Sequence, residues 1–116
     1  MFTDPQSVTV ATVAKSMPRI TSNGQQSIYV MADETFKLTI SHSKPKGRVR
    51  SMVRIDQRAI VADPLTSVND YETLSFYVVI DRPEVGFTST QVNDLITGLK
   101  TWLDSTAVGK VFGQES

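Results

Sequence analysis

Residues 35–58 read TFKLTISHSKPKGRVRSMVRIDQR, and this stretch decides the fold because it alternates on both sides of a turn. From Phe36 to Ser43 the even positions are mostly apolar, while Lys37, Thr39, Ser41 and Ser43 fill the odd ones. That is the period-2 pattern of a half-buried strand. After Lys44-Pro45-Lys46-Gly47 the alternation resumes, with Arg48, Arg50, Met52 and Arg54 on one face and Val49, Ser51, Val53 and Ile55 on the other. The two strands make a hairpin. With its apolar side on a core, Lys37, Thr39, Ser41, Ser43, Arg48, Arg50 and Arg54 share one open face, where short hydroxyls stand between long basic side chains.

Charge is concentrated in the same place. Seven of the chain's 12 basic residues lie between Lys37 and Arg58 against one acid, Asp56, although the chain as a whole is neutral. A neutral protein with a basic sheet face attracts a polyanion locally without being a generic cation. At 116 residues, 40% hydrophobic and 21% charged, the sequence fits one globular domain and neither a disordered nor a membrane protein. A domain of this size buries roughly 65% of its unfolded surface, so association would add useful burial. The first twenty residues carry Asp4, Pro5, Lys15, Pro18 and Arg19 with no long apolar run, so neither a signal peptide nor a spanning helix is read there. The absence of cysteine excludes disulfides and thiolate metal sites, and a single histidine argues against a protein-only zinc site.

Working outward, Ser7 to Ala14 alternates as one surface or edge strand, Lys15 to Met17 turns the chain, and Arg19 to Ser22 returns it. Asn23-Gly24 has the composition of a type I′ hairpin turn leading into a strand from Gln26 to Met31. Beyond Arg58 the second basic strand continues toward Val61, and Ala62 to Asp70 is read as an exposed loop containing Pro64. The strand Tyr71 to Asp81 sets Leu74, Phe76, Val78 and Ile80 against Tyr71, Thr73, Ser75 and Tyr77. At Thr88 the period changes to 3.6. Thr88 and Gln91 have the form of a capping box, and Val92, Leu95, Ile96, Leu99, Trp102 and Leu103 follow at helical spacing. A short second helix from Ser105 to Phe112 completes an α+β layout in which helices cover one sheet face. Gly98, inside the first helix, costs about 1 kcal/mol relative to alanine and suggests either close backbone packing or a tolerated weakness.

Taken together, Lys37-Leu38-Thr39-Ile40-Ser41, Arg48-Val49-Arg50-Ser51-Met52-Val53-Arg54-Ile55-Asp56, the Pro64-bearing loop, Thr73-Leu74-Ser75-Phe76 and the terminal helix pair resemble a coat protein of the small single-stranded RNA bacteriophages, the levivirus family. The resemblance covers most of residues 35 to 112 and rests on the order and spacing of the elements; no single motif carries it. It implies one coat-protein domain over residues 1–116, with an N-terminal hairpin and first sheet strand in 1–31, RNA-facing strands in 34–81 and helices in 88–112. The implied fold is an antiparallel β-sheet with an N-terminal hairpin and two C-terminal helices, in an interlocked dimer that forms one continuous sheet. Val92, Leu95, Ile96, Leu99, Trp102 and Leu103 would then form the dimer interface.

The resemblance further implies a homodimer that builds an icosahedral virion shell in the cytoplasm of a bacterial host. Its inner sheet face would bind a stem-loop of the viral single-stranded RNA, repressing replicase translation and marking the genome for packaging. By position, the RNA-binding residues would be Lys37, Thr39, Ser41, Ser43, Arg50, Met52, Arg54, Asn69, Tyr71 and Thr73. The loop Ala62 to Asp70 would change conformation around the shell's symmetry axes, and no disulfide would brace it. The family often places threonine or a similar small residue where this chain has Met52.

Elementary chemistry agrees with that role. Lysine and arginine neutralise phosphates with an affinity that falls as salt rises, and hydroxyls and tyrosine rings suit unpaired RNA bases. No cofactor, metal or membrane partner is expected. Asp56, Asp81 and Glu84 bring no nucleophile with them, and His42, on the apolar side near a strand end, reads as structural or partly exposed, so enzyme chemistry ranks low. The main rival is a cellular dimeric regulatory domain that binds RNA on the same sheet face.

Overall fold

The chain runs β1 (Gln6–Val10), β2 (Val13–Met17), β3 (Arg19–Ser22), β4 (Gln26–Val30), β5 (Phe36–Ser43), β6 (Arg48–Ala62), β7 (Asn69–Pro83), α1 (Ser89–Trp102) and α2 (Ser105–Phe112). This computed structural model describes residues 2–62, 65 and 69–115, apart from the side chains of residues 61, 62 and 69. The chain divides after Arg82 into two compact units, one of sheets and one of helices. In the first, β1 and β2 form a two-stranded sheet, and β3-β4-β5-β6-β7 form a five-stranded sheet in chain order. The pairs β1–β2, β3–β4, β4–β5 and β5–β6 are antiparallel.

The hairpin at the centre forms as its alternation requires. Lys46 and Gly47 take positive φ values of 43° and 79°, and the Arg48 amide donates to the Pro45 carbonyl at 3.0 Å. This is the φ signature of a type I′ turn, whose twist matches that of the flanking strands. The register Leu38↔Ile55 and Ile40↔Val53 then puts the apolar residues on one side. There Met17, Tyr29, Phe36, Leu38 and Ile40 form the core, with Val8, Val10, Met31 and Ile55 packed against it. The N-terminal hairpin thus covers part of the apolar sheet face.

That hairpin differs from the expected single strand over Ser7 to Ala14. The chain reverses at Ala11 and Thr12, both at positive φ (50° and 67°), and Val10 pairs with Val13. Residues Lys15 to Met17, expected to turn, instead lie in β2. Neither Ala11 nor Thr12 is a usual occupant of this conformation, so composition hid the turn. At Asn23-Gly24 the hairpin forms, but the expected type I′ turn does not, because neither residue takes positive φ. The Asn23 side chain instead accepts from the amides of Gln25 and Gln26 at 2.9 and 2.8 Å, building the turn from its own carboxamide.

The core leaves apolar surface uncovered. On the Leu38 side of the sheet, Val53 is 41% exposed, and Leu74 and Phe76 are also exposed. Strand β7, 15 residues long, occupies one edge of the sheet.

In the helical unit, Thr88 caps α1 as anticipated: its Oγ1 accepts from the Gln91 amide at 3.3 Å, and Gln91 Oε1 accepts from the Thr88 amide at 3.0 Å. Asp104 caps α2 by accepting from the Ala107 amide at 2.9 Å. Neither helix buries a residue. Of the stripe expected at an interface, Leu95, Leu99 and Trp102 are exposed, while Val92, Ile96 and Leu103 are half-buried. A Cβ built on Gly98 meets nothing within 4 Å among the described residues, so the helical unit itself gives that glycine no close backbone packing.

Candidate nucleic-acid interface

The face opposite the core collects alternate residues of four strands, most of them polar. Pairing sets Lys37 opposite Asp56, Thr39 opposite Arg54, Ser41 opposite Met52 and Ser43 opposite Arg50. On the other flank of β5, Gln26 pairs with Ser41, Ile28 with Thr39 and Val30 with Lys37. From β7, Ser75 takes a hydrogen bond from Arg54 Nη2 at 3.1 Å, so Ser75 and its alternates Tyr71, Thr73 and Tyr77 belong to this face.

Lys37, Thr39, Met52, Arg54 and Thr73, all anticipated, line one concavity of about 510 Å³. Ser41, Ser43 and Arg50 continue along the same face by register. One of the anticipated residues is placed differently from a simple open-face picture. Thr39 shares the face but is buried at 7% exposure, so its hydroxyl belongs to the floor of the concavity. The side chain of Asn69 lies outside the description, as does most of the loop between Ala62 and Asp70.

The face is less uniformly cationic than the sequence pattern implied. Arg54 Nε donates to Asp56 Oδ1 at 2.9 Å, and the Ser75 hydroxyl donates to the same oxygen. Burial opposes ionisation of Asp56, but these hydrogen bonds and the charges of Arg54 and Lys37 outweigh it and hold the carboxyl below its usual range. Glu34 adds a second acid to the lining of the concavity. Arg48 is paired with Asp81 at 2.9 Å. Lys37, Arg50 and Arg58 have no ion pair among the described residues.

Aromatic rings stand beside the cations. The Arg58 guanidinium lies 3.9 Å from the centroid of Tyr71, and Arg54 lies 5.8 Å from that of Tyr77. Asp56, Arg58, Ser75, Tyr77 and Glu34 were absent from the residues inferred by position. For Asp56 and Arg58 the signal was available, since both continue the even-numbered series of Arg50, Met52 and Arg54. Glu34 precedes the strand and gave no such signal. His42 is exposed, with Nδ1 2.9 Å from Ser51 Oγ across the hairpin, a structural contact.

Among the described residues, no group of three His, Asp or Glu stands close enough to hold a metal ion. No described helix is long and apolar enough to cross a membrane.

Comparison with known proteins supplies the identity. The structure is similar to that of the virus-like particle of bacteriophage AVE019, with a TM-score of 0.79 at 13% identity over 95% of this chain and 93% of that one. The virus-like particle of Beihai levi-like virus 21 matches at TM-score 0.72 and 9% identity, covering 97% and 95% of the two chains. The bacteriophage GA capsid protein matches at 0.62 and 9%, covering 91% and 88%. At such identities the likeness is one of fold. No curated protein sequence matches. The family described as phage phiCb5, coat protein, matches residues 3–83, most of the chain and all seven strands. The chain therefore belongs to that coat-protein family and is a capsid protein of an RNA bacteriophage.

Proposed function

We propose that the chain acts as a homodimer whose joined sheets bind a stem-loop of the viral single-stranded RNA, repressing replicase translation and selecting the genome for packaging into an icosahedral shell. The role is structural, without catalysis, and assembly takes place in the cytoplasm of the bacterial host. One observation carries this reading: the sheet has two unlike faces. One gathers Lys37, Arg50, Arg54 and Arg58 beside Tyr71 and Tyr77, while the other leaves Val53, Leu74 and Phe76 exposed.

A basic face with tyrosines suits phosphates and unpaired bases. The bare apolar strip and the apolar stripe of α1 suit burial against a second copy. As an edge strand, β7 suits strand addition from a second copy, which would make two sheets continuous. Dimer contacts are assigned to Val92, Leu95, Ile96, Leu99, Trp102 and Leu103. RNA contacts are assigned to Lys37, Ser41, Ser43, Arg50, Met52, Arg54, Asn69, Tyr71 and Thr73, with Thr39 beneath them.

The test is purification of the protein followed by electron microscopy and hairpin binding in a salt series. Closed particles are expected, with RNA affinity that falls steeply as salt rises and is lost in Arg50→Glu. A dimer that never forms shells would favour a free regulatory domain, and binding unchanged by Arg50→Glu would place the RNA elsewhere.

A further inference from the structure

Three hydrogen bonds fasten the Arg54 guanidinium to two strands. Its Nε donates to Asp56 Oδ1 at 2.9 Å, its Nη2 donates to Ser75 Oγ at 3.1 Å, and the Ser75 hydroxyl donates onward to the same Asp56 oxygen. The bonds close a ring that spans β6 and β7. The Tyr77 ring lies beside it, its centroid 5.8 Å from the guanidinium. Asp56, its side chain only 15% exposed, stays ionised in this setting, and an ionised acceptor makes the stronger hydrogen bonds.

The planarity of the guanidinium decides what is left over. Nε–H and one Nη2–H form a single edge, and Asp56 and Ser75 occupy it. The end made of Nη1 and the second Nη2–H faces away from that edge, and Nη1 donates to no described residue. Two parallel N–H groups of this kind match the oxygens of a phosphate. The Arg54 side chain is 42% exposed and lines the concavity of about 510 Å³ with Lys37, Arg58 and Thr73. Lys37, Arg54 and Arg58 outnumber Glu34 and Asp56 in that lining, so it stays net positive and open to a phosphate.

Charge alone argues against an acid here, because Asp56 repels the phosphates that the face attracts. Order argues for it. A free arginine gives up rotamer freedom when it grips a phosphate, whereas one already held gives up little. We propose that Asp56 and Ser75 are positioning residues for RNA binding: they clamp one edge of Arg54 so that its opposite end is preset for an RNA phosphate. This rests on the RNA-binding reading above and adds to it two residues that act through Arg54. Arg50, exposed and without an ion pair among the described residues, supplies charge with no such clamp.

The experiment measures binding of the full chain, below the concentration at which particles form, to an RNA hairpin with an oligoadenosine loop. Ser75→Ala breaks two of the three bonds without changing any charge. It should weaken binding by a factor of about two to ten, the cost of ordering one long side chain, and leave the dependence on salt unchanged. Arg54→Ala should weaken binding and lower the slope of log affinity against log salt by about one. Added to Arg54→Ala, Ser75→Ala should cause no further loss, which a general structural role for the serine would not produce. Asp56→Asn separates order from charge: the clamp predicts binding no tighter than that of the parent protein, whereas relief of repulsion predicts tighter binding. Hairpin affinity unchanged in Ser75→Ala, a loss that persists in full without Arg54, or tighter binding by Asp56→Asn overturns the clamp and leaves RNA binding standing. Failure of the parent protein to bind any hairpin at low salt would instead refute the RNA-binding reading itself.

Discussion

Arg48 Nε lies 2.9 Å from Asp81 Oδ1, joining β6 to β7 between residues 33 apart in sequence. Both side chains are about half exposed, at 51% and 46%, and pairs of that kind contribute roughly 0–1 kcal/mol. The pairing matters more for what it removes: Arg48 is already partly neutralised, while Arg50 has no ion pair among the described residues. Arg50→Ala should therefore weaken hairpin binding and reduce the slope of log affinity against log salt by about one. Arg48→Ala should change the slope by less than half as much. Salt titrations of both variants check this.

The reversal at Ala11 and Thr12 places a β-branched residue at φ 67°. Such conformations cost non-glycine residues of order 1 kcal/mol or more. Thr12→Gly should raise stability by up to about 1 kcal/mol, the relief of strain being offset in part by greater freedom in the unfolded chain. Denaturant midpoints of the two proteins decide the matter, and a lower midpoint for the variant would count against the left-handed turn.

Tyr29 is fully buried at 0% exposure, and its hydroxyl is 3.3 and 3.1 Å from Arg19 Nε and Nη2. Arg19 in turn bonds the Phe2 carbonyl, and its amide donates to Asp4 at 2.8 Å. Tyr29→Phe keeps the ring and should cost about 1–2 kcal/mol. Tyr29→Ala opens the core and should cost about 3–5 kcal/mol. Equilibrium unfolding measures both.

Leu99 and Trp102 are 58% and 62% exposed on α1. A charge at either should leave the isolated chain little affected, yet prevent dimer formation. Analytical ultracentrifugation of Leu99→Asp and Trp102→Asp is expected to show monomer. A dimer unchanged in either variant would contradict the assignment of that stripe to the interface.

Asp56 gives a pH dependence of definite sign. Its carboxyl ionises below the ordinary aspartate value in the folded protein, so its contribution is fully present above about pH 3.9. It is lost as pH falls through the depressed folded value. Any stability difference between the protein and Asp56→Asn should be flat from about pH 5 to 7 and shrink only below about pH 4. Urea unfolding across that range checks the sign.

Much of this was legible in residues 35–58, because burial on one side of a sheet leaves a period of two that no other structure explains. The capping box at Thr88 and the bounds of α2 were equally plain, since caps use side chains of known chemistry. The turn at Ala11-Thr12 was not legible, because tertiary burial of Val8, Val10 and Met17 holds a conformation those two residues do not favour locally. At the interface, parity identified the face but not its wiring. That Asp56 would engage Arg54 and Ser75, 19 residues away, depends on how β7 lies beside β6.

Strand β6 outruns one neighbour: β5 pairs with it only up to Gln57, so β6 runs on to Ala62 past the register of β5, with β7 as its other neighbour in the sheet. A two-stranded projection twists and bends more readily than a five-stranded floor. In a closed container built from many copies, that projection can absorb differences of angle between adjoining subunits. The broad five-stranded platform would then keep one curvature wherever a copy sits.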